Sequence, residues 1–215
     1  MERRIKKSVL KNGIRVVSEF HPESRDVAIG IWADVGTRDE PDGQVGISHL
    51  LEHMVFKGTK TRSSYQISRS LEALGGELNA FTSRENTCYH ALVLKDHWSD
   101  ALDVLGDLVS NMKFSKKDFN LEKGVIIQEI AMAEETQEDY VFDLFFEKCF
   151  GSHALGRSIL GSMKTITHLK MGEVYSHYKE NYQGSNLLVS AAGNIDHEEL
   201  AKKAAALLNH KKKKK

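Results

Sequence analysis

The chain has 215 residues, enough for one sizeable hydrophobic core. Thirty basic residues balance thirty acidic ones. No global field therefore draws the chain to nucleic acid or to an anionic membrane, and any partner must be recognised at a local site.

The basic start, MERRIKKSVLKNG, is not followed by a continuous apolar segment. No secretory signal is read there, no run is long enough to span a bilayer, and a cytoplasmic location is expected. Cys88 and Cys149 are the only cysteines, too few for a disulfide framework, and are expected to be reduced and buried.

In chain order, Ser8–Leu10 and Arg15–Phe20 flank Asn12-Gly13, a strong hairpin signal. Val27–Val35 reads as a largely buried strand and Pro41–Gly46 as a turn-rich loop. A helical pattern runs from Gly46 through Phe56. Ser63 or Ser64 caps a second helix that Gly75-Gly76 ends. Glu77–Thr82 and Thr87–Leu94 form two strands about a polar tip. Helical patterns follow over Trp98–Asn111, Lys116–Glu134 and Asp139–Cys149, then a loop over Gly151–Gly161. A helix over Lys170–Tyr182, a strand over Asn186–Ala192 and a helix over Asp196–Leu208, with Asp196 and Glu199 as a capping box, close the chain. Strands and helices mix without strict βαβ alternation. The expected class is α+β, a largely antiparallel sheet covered by helices. Residues 1–210 are expected to form one domain, and Lys211–Lys215 a disordered lysine tail.

The chemistry concentrates in His49-Leu50-Leu51-Glu52-His53. Residues four apart on a helix lie about 40° apart around its axis, so His49 and His53 share a face and can grip one ion. Imidazole suits zinc, and two such ligands leave the ion needing a third and an open position. Glu52 lies beside them. Zinc lowers the pKa of a bound water from about 15.7 towards 7, and a neighbouring carboxylate can then take its proton. The bland alternative is an amphipathic helix whose histidines are ordinary satisfied polar groups.

Glu129 is the candidate third ligand. Val125, Ile126, Met132 and Ala133 surround it at helical spacing, and an unpaired carboxylate in such an apolar stripe is costly. The alternative is a core carboxylate paired with a lysine or arginine. Glu122, two turns earlier on the same face, could support the site, or could be a surface charge near a helix start. His90, His97, His153, His168 and His177 have no partner at ligand spacing and read as structural or exposed.

The segment Gly46-Ile47-Ser48-His49-Leu50-Leu51-Glu52-His53-Met54-Val55-Phe56-Lys57-Gly58-Thr59 resembles the signature of the pitrilysin family of inverzincin peptidases, near the mitochondrial processing peptidases and their bacterial relatives. The likeness continues through Leu74–Thr82, Glu122–Glu129, Leu155–Gly161, Tyr182 and Ala192–Asn194. Glu129 also stands 76 residues after His53, a spacing that suits the family.

The resemblance implies a zinc endopeptidase fold half in which His49, His53 and Glu129 hold one zinc ion. Glu52 is the general base and Glu122 supports the ligands from behind. It also implies that Asn79, Ala80, Phe81 and Thr82 form an exposed sheet edge to which an extended peptide, or an unfolded protein segment, adds as a strand. Phe81 would line a side-chain pocket, although an aromatic in a strand is more often packed across strands. Family members carry a second similar half, or pair with a partner subunit, which supplies an arginine and a tyrosine to the oxyanion. This chain stops before such a half, and losing that stabilisation would cost about a hundred- to a thousandfold in turnover. The alternative function is a non-catalytic substrate-binding or assembly subunit, which would be expected to lose a ligand or the base. A zinc hydrolase of another substrate class is a third reading.

Overall fold

The asparagine–glycine turn sets the first element pair. Gly13 adopts φ +92°, and Leu10 and Ile14 close the loop between β1 (Arg4–Val9) and β2 (Arg15–Phe20). The computed structural model describes residues 4–208. After β3 (Asp26–Ala33) come α1 (Ile47–Val55), α2 (Ser64–Glu72), β4 (Glu77–Thr82) and β5 (Thr87–Leu94). Four helices follow: α3 (Trp98–Ser110), α4 (Lys116–Glu135), α5 (Gln137–Phe150) and the short α6 (Met163–His168). The chain ends in α7 (Met171–Asn181), β6 (Leu187–Gly193) and α8 (His197–Leu207).

The class is α+β, as the pattern indicates. The six strands form one sheet in the order β1-β2-β6-β3-β5-β4. Every pairing is antiparallel except that of β2 with β6. Alternation along each strand divides the sheet into two faces. Val27, Ile29, Ile31, Tyr89, Ala91, Val93, Leu187 and Val189 are buried under the helices, where one contiguous core lies. The other face stays open as a trough of about 870 Å³, with small Ala28, Gly30 and Ser190 at its floor.

Most expected elements appear within two or three residues. The short α6 has no counterpart in the sequence pattern; Ser162 caps it by accepting from Thr165. Ser63 and Gln66 form the capping box of α2, and Asp196 caps α8 by accepting from the Glu198 and Glu199 amides. Cys88 is buried as expected, but Cys149 is exposed: it lies on α5, most of whose residues face solvent. No helix among the described residues is long and apolar enough to cross a membrane. The lysine tail, Lys211–Lys215, lies outside the described residues.

His177 is structural and joins α7 to α1. Asn181 Nδ2 donates to its Nδ1 at 3.2 Å, which leaves Nε2 to donate to Ser48 Oγ at 3.1 Å. Burial holds its pKa down to about 4, from an ordinary 6.5. The folded state therefore favours the neutral ring. The stability this contributes is complete above pH 6.5 and is lost as the pH falls towards 4. The change should approach about 3 kcal/mol. Denaturant melts in chelator at pH 7 and pH 4.5 should show a steep loss for the native chain and a shallower one for His177→Gln. Equal slopes would place the pH sensitivity elsewhere.

Candidate metal centre

Helix α1 is fastened at its start by a side chain that no spacing rule picks out. Glu40 is buried in the loop before α1 and accepts from the Gly46 and Ser48 amides, both at 2.8 Å, one on each oxygen. These are amides that a helix start leaves without intrahelical partners. One face of α1 then packs inward through Ile47, Leu50, Leu51, Met54 and Val55. The opposite positions, His49, Glu52 and His53, remain partly exposed and face α4 and the end of β4.

The two imidazoles stack edge to face with centroids 4.6 Å apart. His53 Nε2 lies 3.6 Å from Glu129 Oε2, and His49 Nε2 lies 4.0 Å from the same oxygen. The three residues offer ligand atoms that all lie within 4.8 Å of one another, and theirs is the sole such group among the described residues. On the other side of the His53 ring, Nδ1 stands 3.1 Å from Glu122 Oε2. A proton on Nδ1, donated to that carboxylate, leaves the Nε2 lone pair free. Burial and the neighbouring His53 hold the His49 pKa near 4, so its ring is neutral at physiological pH. His49 Nδ1 is buried with no partner among the described residues. Two imidazole nitrogens and one carboxylate oxygen, converging with room for a fourth ligand, fit a zinc ion.

Glu122 is buried, 5% exposed, and also binds Lys57 Nζ at 2.8 Å through its other oxygen. It is not a surface charge. The apolar-stripe argument for Glu129, by contrast, needs correction. Its side chain is 37% exposed, and Val125 and Met132 face solvent. The buried arc of α4 runs through Phe119, Glu122, Ile126 and Ile130, and Glu129 sits about 20° beyond the edge of that arc. It stands at the rim of the site, not within a hydrophobic layer.

Glu52 receives a hydrogen bond from Thr82 Oγ1 at 2.5 Å on Oε2. Burial raises its pKa and the Glu129 charge adds to this, while the Thr82 bond and His53 oppose it. Strand β4 lies at the edge of the sheet. Its alternation sends Ala80 and Thr82 to the cleft beside Glu52 and puts Asn79 and Phe81 on the open face. Phe81 packs edge-on against Trp32 at 5.7 Å and tilts over His90 at 6.0 Å, so it borders both the open trough and the cleft. The cleft is about 580 Å³ and is walled opposite β4 by Ile130, Tyr140, Asp143 and Ser158. None of the cluster residues lines the larger trough, whereas His49 and Glu52 line the smaller cavity.

Residues 15–163 match the profile described as "Insulinase (Peptidase family M16)", and residues 168–215 that described as "Peptidase M16 inactive domain". An uncharacterized zinc protease of Streptomyces coelicolor is 41% identical over 202 residues, which is 94% of this chain and 44% of that protein. This chain thus spans less than half the length of that relative. Among solved structures, a protease from Helicobacter pylori superposes with a TM-score of 0.93 at 22% identity, covering 99% of this chain and 52% of that one. Pitrilysin superposes with a TM-score of 0.86 at 22% identity, covering 100% of this chain and 24% of that one. At such identities the likeness to the structures speaks for the fold alone, while the profile covers well over half of this sequence. The chain belongs to the insulinase, or M16, family of zinc peptidases.

Proposed function

We propose that this chain is the metal-binding half of a zinc endopeptidase that hydrolyses extended peptides or unfolded protein segments. One observation carries the reading: both Nε2 atoms of the His49/His53 pair converge on Glu129 Oε2, with the Glu52 carboxylate tethered beside them. His49, His53 and Glu129 hold one zinc ion, with Glu122 behind His53. Bound zinc supplies Lewis acidity, lowering the pKa of water and polarising a peptide carbonyl. Thr82 occupies Glu52 Oε2, which leaves Oε1 to take the proton from the attacking water and later to pass it to the leaving amine.

Residues Asn79, Ala80, Phe81 and Thr82 receive the substrate backbone along the β4 edge. In the free chain the Ala80 amide is held by Asn79 Oδ1 at 2.8 Å, a bond that an added strand can exchange for its own carbonyl. Residues 1–210 act as one domain in the cytoplasm, without nucleic acid or membrane. A second homologous half closes over the cleft, as the greater length of the relative suggests.

Elemental analysis together with cleavage of a quenched fluorescent peptide library tests this. The expected result is about one zinc per chain and hydrolysis that a chelator abolishes, by the chain alone or after a second M16 half is added. A chain that takes up no zinc would sink the proposal. Hydrolysis that persists without metal would sink the mechanism.

A further inference from the structure

Lys57 follows the metal-binding helix directly, and its main chain is fixed from both sides. Its amide donates to Met54 O at 3.1 Å, and the carbonyl of the next residue, Gly58, accepts from the Lys113 amide at 3.0 Å. Beyond Gly58 the turn is bound to α3 by one buried carboxylate. Asp107 accepts from Thr59 Oγ1 at 2.6 Å, Thr61 Oγ1 at 2.8 Å, Arg62 Nη1 at 2.7 Å and Asn111 Nδ2 at 2.8 Å. From this anchored base the Lys57 side chain crosses to α4. Its Nζ lies 2.8 Å from Glu122 Oε1, while Oε2 of that carboxylate lies 3.1 Å from His53 Nδ1.

A carboxylate held by a single donor can turn about its last bond. One held at both oxygens by donors on fixed elements cannot. Glu122 is almost wholly buried, so the ammonium also compensates a charge that would otherwise be stranded out of water. We propose that Lys57 is a positioning residue of the metal centre: it fixes the Glu122 carboxylate in the plane that aims His53 Nε2 at Glu129. This rests on the reading of His49, His53 and Glu129 as zinc ligands. Lys57 touches neither metal nor substrate and acts only through Glu122. Partners of this outer kind typically change metal affinity by about 10- to 100-fold.

A plain strut between α1 and α4 would have a different signature. It would support the metal-free fold and have no particular dependence on Glu122 in metal binding. The experiment is zinc affinity, by competition with a chromophoric chelator. The full chain is compared with Lys57→Met, Lys57→Arg, Glu122→Gln and the double variant, and melting in excess chelator reports folding. Lys57→Met should bind one zinc about 10- to 100-fold more weakly. Its metal-free melting temperature should also fall, because the buried Glu122 charge loses its ammonium. The affinity of the folded chain and its dependence on Glu122 are therefore what separate positioning from a strut. Lys57→Arg should recover most of that loss. The double variant should bind no more weakly than Glu122→Gln alone. Native affinity in Lys57→Met overturns the proposal, and so does a double variant whose losses multiply. If Lys57→Met fails to fold, Lys57→Gln is read in the same way. A native chain that binds no zinc refutes the ligand reading itself, and this inference with it. Full zinc binding in both the native chain and Lys57→Met refutes this inference alone.

Discussion

Replacing Glu52 with glutamine is expected to leave zinc binding at about one ion per chain and to lower peptide hydrolysis by about two to four orders of magnitude. The substitution is nearly isosteric. Its amide oxygen can still accept the Thr82 hydroxyl that now sits 2.5 Å from Oε2, so the position of the side chain should survive. What disappears is a group able to take a proton. Burial already pushes the Glu52 pKa up, which makes its carboxylate a better proton acceptor than an exposed one. Metal content and library cleavage on the same samples separate the two effects. A variant that keeps half its activity would mean that another group is the base. A variant that loses its zinc would mean that Glu52 helps to build the site.

The second large effect is one of stability. Gly46 caps α1 with φ +96°, a left-handed conformation that side chains disfavour. A Cβ there would lie 2.7 Å from the Leu160 carbonyl oxygen and 2.7 Å from Ile166 Cδ1. The isoleucine can shift, but the carbonyl belongs to a loop packed against the same spot from the other side. There Gly161, at φ +77°, could not carry a Cβ without meeting the Val45 carbonyl oxygen at 2.3 Å. Gly46→Ala should therefore cost about 3 kcal/mol, from backbone strain together with the clash. It should also weaken zinc binding, since His49 lies one turn further on. Gly124→Ala is the control. Gly124 lies inside α4, and a methyl group added there would meet nothing within 4 Å, so alanine should be neutral or add up to about 1 kcal/mol. Denaturant midpoints that rank the two variants together would remove the strain argument.

The candidate metal centre is legible in the sequence because its logic is local. Four-residue spacing on one helix brings His49 and His53 together whatever the rest of the chain does, and Glu129 and Glu122 share a helix face by the same arithmetic. The apolar-stripe reason for choosing Glu129 is nevertheless wrong. Periodicity identifies neighbours along α4, but only packing decides which of them are covered, and Val125 and Met132 are not. Glu40, Lys57 and the Thr82 hydroxyl escape sequence reasoning as supports because each acts across a tertiary contact. Glu40 serves a helix start six to eight residues later, Lys57 reaches a residue 65 positions away, and Thr82 reaches Glu52 from a strand 30 positions on. Charge and polarity along the chain carry no trace of such pairings. Phe81 shows the same limit on a smaller scale. Strand alternation assigns it to one face, but only the assembled sheet puts Trp32 and His90 on that face with it.

The single parallel pairing has a consequence for how the molecule is put together in time. Strand β6 lies between β2 and β3, although it is made more than 150 residues after either. Until it arrives, the β1–β2 hairpin has no place in the sheet and β3 presents an unsatisfied edge. Helices α1 and α4, which carry the candidate ligands and base, and strand β4, whose Thr82 donates to Glu52, are all synthesised before that moment. As the chain leaves the ribosome, the parts of the metal centre can meet while the sheet beneath them still has a gap. Closing the gap is a long-range step of the kind that slows folding and leaves strand edges open to mispairing.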